Sequence, residues 1–145
     1  MDNNILYNMD IEALKVNQGI INRMADNSAK CKTIFLAITT AMVTFAKQDD
    51  LRFNVFAIAV YLVLTIALWY SDAKYLQLER MFRVHHQRIV DGTYDKRQAW
   101  EFNLKKIDPP SMKGIMFKNF TMLLYMIATS MSACLLLYCC ITYKL

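Results

Sequence analysis

The chain has 145 residues, 56% of them hydrophobic and 20% charged, with a formal charge of +5 and a mean hydropathy of +0.20. Soluble domains are about 45–50% apolar and about 25% charged; the excess here lies in three runs, Cys31–Ala46, Phe53–Tyr70 and Phe120–Tyr143, in which Lys32 is the one formally charged side chain. Three glycines and two prolines leave too little turn chemistry for a β-protein, and four cysteines, three of them inside the last apolar run, are not spaced as a disulfide framework.

In chain order, residues 1–30 read as an amphipathic helix on the cytoplasmic side. Asp10 is a candidate cap with Glu12 in the first turn, and Met9, Ala13, Val16, Ile20 and Met24 recur at spacings of three and four, opposite Lys15, Asn22 and Asp26. No proline separates this segment from the first apolar run, 31–46, so one rod is expected from about Asp10 to Ala46, weakest at Gly19. At about 1.5 Å per residue the three runs reach roughly 24, 27 and 36 Å, against a hydrocarbon core of about 30 Å. The first is short, and spans if Lys30, Lys32 and Lys47 extend their aliphatic stems to the two interfaces. It follows some thirty polar and amphipathic residues and precedes no A-x-A-like site, so it reads as a span and not as a cleaved signal.

The second span, 53–70, ends on an interfacial Trp69–Tyr70 pair, and helical spacing continues through Leu78, Met81, Phe82 and Ile89 to a stop at Asp91–Gly92, where glycine suits the left-handed cap. Asp95–Lys106 reads as a short third cytoplasmic helix carrying Ala99, Trp100, Phe102 and Leu104. Asp108–Pro109–Pro110–Ser111 then forms a stiff connector to the third span, 120–143. Lysines and arginines number four in residues 1–32, two in 47–52, ten in 71–119 and one after the last run. The positive-inside rule therefore places the N-terminus and the 71–119 segment in the cytoplasm and the C-terminus outside. The fold expected is all-α, an integral membrane protein with three transmembrane helices, the first two extended as cytoplasmic rods.

Few residues suggest reaction chemistry. His85 falls on the apolar stripe and reads as a packed histidine, while His86 lies on the wet side beside Glu79 and Arg83; neither has an Asp, Glu or Cys one turn away to complete a metal site. Cys139–Cys140 reads as apolar filler. No phosphate loop, glycine fingerprint or nucleophile–base constellation is present, so neither an enzyme nor a cofactor is expected. No ionisable residue sits mid-span, which disfavours an ion-coupled transporter. Thr33, Ala37, Thr40 and Thr44 form a small, hydroxylated stripe in the first span that either packs helices or lines a pore. Residues 71–119 interleave ten basic and six acidic side chains with aromatics. Ordinary positive-inside charge accounts for such a segment, or, with several copies around an axis, a phosphate-binding surface formed by Arg23, Arg80, Arg83, Arg88, Lys96, Arg97 and Trp100. Where the two rods leave the bilayer, Asn22, Arg23, Asn27 and Ser28 face Asp72, Glu79, Arg80 and Arg83 as a candidate clasp or gate, with Glu79–Arg83 also an i,i+4 pair.

Gln18-Gly19-Ile20-Ile21-Asn22-Arg23-Met24-Ala25-Asp26-Asn27-Ser28, leading into the first span, and Trp69-Tyr70-Ser71-Asp72-Ala73-Lys74-Tyr75-Leu76-Gln77-Leu78-Glu79-Arg80-Met81-Phe82-Arg83, leading out of the second, resemble the "INRMA-NS" and "W-LDAYYL-QERLFR" segments of a family of small multi-span membrane proteins. These are the channel-forming effectors of bacterial nucleotide-signalling anti-phage systems of the Hailong type. The two segments cover about 26 residues; Lys74 stands at a usual tyrosine, Gln77 and Leu78 are permuted, and the third span carries no motif. The resemblance implies a homo-oligomer, with a tetramer favoured, in the bacterial inner membrane. It implies a ligand-gated ion channel that disrupts membrane potential, controlled by a nucleotide or oligodeoxyadenylate from a partner nucleotidyltransferase. Read from the residues alone, a non-conducting scaffold that recruits a soluble partner fits the same pattern.

The charge asymmetry makes the orientation testable. In a background lacking native cysteines, Asp49→Cys is expected to react with an impermeant thiol reagent added to intact cells, and Asp95→Cys to stay unlabelled. Labelling at position 95 overturns the orientation.

Overall fold

Long stretches with no proline and a single glycine favour uninterrupted helix, and the computed structural model, which describes residues 3–45, 51–93, 100, 104, 107–118 and 122–143, contains two such rods. Helix α1 runs Asn3–Phe45 and α2 runs Leu51–Val90, 43 and 40 residues, or about 65 and 60 Å at 1.5 Å per residue. A short α3, Met112–Lys118, and an apolar α4, Leu123–Tyr143, complete the all-α fold. The start of α1 differs from the expected one: the helix begins ahead of Asp10, which lies inside it and not at its cap.

Helices α1 and α2 pack antiparallel along their length, and both α3 and α4 pack on α2. Polar contacts report the register. Asn17 meets the carbonyl of Phe82, Ser28 meets Asp72 and Thr39 meets Tyr61, so each step of three turns up α1 matches three turns down α2. The buried face of α1 is Ala13, Asn17, Ile21, Ser28, Cys31 and Phe35. It is rotated from the expected stripe: Val16 is exposed, Ile20 and Met24 are half-buried, and Asn17 takes the centre. Asn17 has a partner on α2 for its amide N–H, the Phe82 carbonyl, and Val16 turns outward in exchange. On α2 the stripe Met81–His85 is buried as expected, with Leu78, Phe82 and Ile89 flanking it.

The stop of α2 is built as the sequence predicts. Gly92 has φ 66°, its N–H donates to the Ile89 carbonyl at 3.1 Å, and the Thr93 N–H donates to the Arg88 carbonyl at 3.0 Å, the paired bonds of a Schellman cap. Asp95–Lys106 falls almost wholly outside the described residues, as do Lys96 and Arg97. The Asp108–Ser111 connector is non-helical, and Gln77 of α2 donates to its Pro110 carbonyl at 2.9 Å. Helix α3 was not foreseen. Ser111 caps it by accepting from the Gly114 N–H at 3.3 Å. Its Ile115 enters the core with Phe35, Tyr61, Ala73, Met122 and Tyr125, and its Phe117 meets Trp69 edge-on at 5.4 Å.

Large apolar side chains are exposed over one half of the molecule: Ile34, Leu36 and Val43 on α1, Phe56 to Tyr70 on α2, and Leu123 to Ile141 on α4. This far exceeds the patches of soluble monomers. Among the described residues one helix, α2, is long and apolar enough to cross a membrane. Only 17% of its apolar window is buried, unlike the core helix of a soluble protein.

Two glycines in these rods should respond oppositely to a methyl group. Gly92→Ala forces an L-residue into the left-handed region and should destabilise by about 1–2 kcal/mol. Gly19→Ala, where nothing lies within 4 Å of an added Cβ, should stabilise by about 0.8–1 kcal/mol. Denaturant unfolding of the two variants in detergent micelles measures both signs.

Candidate functional site

The densest polar cluster lies where the apolar half of the hairpin begins. Asp72, on the turn of α2 after Trp69, is fully buried. Its Oδ1 accepts from the Ser28 hydroxyl of α1, and the Lys32 ammonium sits 2.9 Å from both carboxylate oxygens and 2.8 Å from the Ser28 Oγ. Ser28 and Lys32 are one turn apart, so helix geometry alone points both at one spot on α2. Cys31, buried beside them, and Tyr125 of α4, whose phenol interacts with Asp72, complete the surroundings. Phe35, one turn beyond Cys31, packs against the Tyr125 ring with centroids 4.6 Å apart and the planes tilted by 44°. Three helices thus converge on one carboxylate.

Serine beside lysine suggests acyl-transfer chemistry, but the Ser28 hydroxyl donates to Asp72 and accepts from Lys32, the reverse of the direction in which a serine nucleophile gives its proton to a base. Ser28 is 3% exposed and donates its proton to Asp72. The arrangement suits a structural or switching clasp.

No protein-family model, curated protein or solved structure matches the chain. The geometry is therefore the guide to the site.

The candidate clasp is formed by partners only partly foreseen. Asp72 and Ser28 meet, whereas Glu79 is held by Arg83 on its own helix at 2.8 Å and Arg23 is exposed, so no Arg23–Glu79 pair forms. Asn22 accepts from Gln18 at 3.0 Å on the exposed face, and Asn27 is half-buried. Lys32, expected to reach for the interface, turns inward instead because Asp72 offers it a buried counter-charge. The signals for it were its place four residues after Ser28 and a lone acid just past the Trp69–Tyr70 belt.

The stripe Thr33, Ala37, Thr40 and Thr44 lies wholly on the outer face of α1. Each hydroxyl donates to a carbonyl one turn back, Ala29, Leu36 and Thr40 at 3.2, 2.9 and 3.0 Å. Behind it, α1 and α4 diverge around an apolar cleft of about 430 Å³ floored by Tyr61, whose hydroxyl meets Thr39 at 3.0 Å. Of the basic candidates, Arg80 and Arg83 are exposed, Arg88 is half-buried and Trp100 is at the surface. Arg83 is neutralised by Glu79, and Arg80 and Arg88 are also engaged. His85 is 1% exposed between α1 and α2. Among the described residues no cluster of three His, Cys, Asp or Glu could hold a metal ion.

The two ion pairs should differ sharply in worth. Lys32→Ala leaves a buried carboxylate without its counter-charge and should destabilise by about 3 kcal/mol, the lower end for buried pairs because Lys32 is 32% exposed. Arg83→Ala, at the surface, should cost no more than about 0.5 kcal/mol. Unfolding midpoints in micelles separate them.

Proposed function

We propose that this chain is a three-span bacterial inner-membrane protein that assembles as a homo-oligomer, a tetramer by preference, and conducts ions as an effector of anti-phage defence. The N-terminus and the basic 71–119 segment face the cytoplasm and the C-terminus faces outward. The activity is conduction and not catalysis, and the controlling ligand is a nucleotide or oligodeoxyadenylate from a partner nucleotidyltransferase, received by the basic and aromatic residues of the cytoplasmic rods. The defence role and the ligand rest on the resemblance of the two segments flanking the first and second spans.

One observation carries the conducting reading. The least apolar face of the first span, Thr33–Ala37–Thr40–Thr44, is turned away from the rest of the protomer. A soluble neighbour cannot account for it at the depth of the exposed Ile34, Leu36 and Val43. Facing lipid, it forgoes the apolar contact that its neighbours supply; facing an axis between copies, its hydroxyls border water. A second reading, helix packing in a non-conducting scaffold, draws on the same residues, since each hydroxyl is already satisfied by its own helix.

Thr40→Leu separates the two. On a pore wall it fills the lumen with hydrocarbon and dries it; in a packed seam it overfills the contact, at about 1–3 kcal/mol per site. The expected result is a variant with unchanged oligomeric mass in detergent that has lost ion flux in liposomes. Loss of the oligomer, or full flux from an intact one, rejects the stripe as the pore wall.

A further inference from the structure

Helices α1 and α4 meet where Phe35 packs on Tyr125 and part beyond it, leaving the apolar cleft of about 430 Å³ between them. Phe35, Tyr61 and Ser132 form its buried floor, and the exposed Leu36, Leu124 and Met131 stand at its rims. On α4 the lining runs from Leu124 to Leu135, about 16 Å at 1.5 Å per residue. Spread over that length, the volume is a bore of roughly 6 Å, against about 10–12 Å for a helix with its side chains. The polar groups on its walls are already satisfied. The Tyr61 hydroxyl pairs with Thr39 at 3.0 Å, Thr39 donates to the Phe35 carbonyl at 2.8 Å, and Ser132 donates to the Ala128 carbonyl at 2.7 Å. Among the described residues no charged side chain lines it. An occupant is therefore held by fit and dispersion and needs no polar group of its own.

Helix seams in a bilayer are built from small residues that let two backbones approach. The rims of this cleft are large and branched or flexible, and the small residues of α1 stand on another face, in the Thr33–Ala37–Thr40–Thr44 stripe. The cleft is also continuous with the exposed apolar surface of α1 and α4, so hydrocarbon lies at its mouth. We propose that it is a binding site for one acyl chain of a bilayer phospholipid, seated between α1 and α4 in place of direct helix contact. Met42 and Met131, unbranched and adaptable, let the walls follow the chain. The site rests on the membrane-spanning part of the reading above and not on conduction.

The test uses the full chain in liposomes of phosphatidylethanolamine and phosphatidylglycerol carrying a trace of phospholipid with a mid-chain diazirine. After illumination, adducts are expected on the buried floor, at Tyr61 and Ser132, which lipid passing over the surface does not reach, as well as on the exposed Val63. Ala128→Phe puts a ring into the cleft and should abolish the floor adducts while Val63 stays labelled. Met131→Trp, at the exposed rim, replaces it with the same expectation if the first variant does not fold. Adducts at Val63 alone, or floor adducts undiminished in the variant, overturn the site. So does a disulfide between copies through Met131→Cys in a background lacking native cysteines, which puts a second protomer in the cleft. A chain that alkaline carbonate strips from membranes removes the membrane reading and the site together; a chain that stays embedded without floor adducts removes the site alone.

Discussion

A single buried carboxylate governs how the helices sit against one another. Asp72 is closed off from water at the level where apolar surface begins, and taking such a charge out of water costs several kcal/mol even after relaxation. The cost is offset only when Lys32 and Ser28 lie directly across from it. Because successive residues of a helix point about 100° apart, sliding α1 by one position along α2 would carry both groups off the carboxylate. The pair therefore enforces the register, and the Asn17–Phe82 and Thr39–Tyr61 contacts fall into place three turns away on either side.

The same constraint explains why the α1–α2 seam is richer in polar groups than the outside of the apolar half. Asn17, Ser28, Thr65, Asp72 and His85 are buried, whereas Ile34, Val43, Phe56, Val63 and Leu64 are exposed. In water this distribution would be unstable, because exposed hydrocarbon is penalised and buried polar groups are not rewarded. Against lipid the first penalty vanishes, and interhelical polar contacts and close packing become the means by which helices associate. Both rods are continuous from their polar to their apolar halves, so a rotation of α1 in its polar half is carried directly to the hydroxyl stripe in its apolar half. Asp72 lies at the boundary between the two, with α4 reaching it through Tyr125.

The long rods, their apolar halves and the Gly92 cap were legible because they depend on local rules: periodicity, the absence of proline, and the conformational freedom of glycine at a single position. The same rules failed where a residue's fate depended on another helix. Val16 fits an apolar stripe as well as Ile21 does, and only the Phe82 carbonyl opposite Asn17 turns the helix by one position. Lys32 is equally consistent with reaching to an interface or turning inward, and the choice belongs to Asp72, 40 positions away. Helix α3 was overlooked because a seven-residue segment is too short to show a period, although Ser111 ahead of it has the chemistry of a cap.

By itself the sequence determined that the chain is helical, where the rods stop, which segments are apolar, and that Ser28 and Asp72 stand close to the ends of those segments. These properties follow from each residue's own preferences and from neighbours within a turn. The tertiary structure alone decided that Lys32 completes the clasp, that Glu79 belongs to Arg83 and not to Arg23, that the hydroxyl stripe faces outward, and that Tyr125 of the last helix comes to lie beside the same carboxylate. Each of those outcomes is a competition between partners on different helices for the same few acceptors, and such competition is settled by distance and angle in the packed molecule, which no single segment contains.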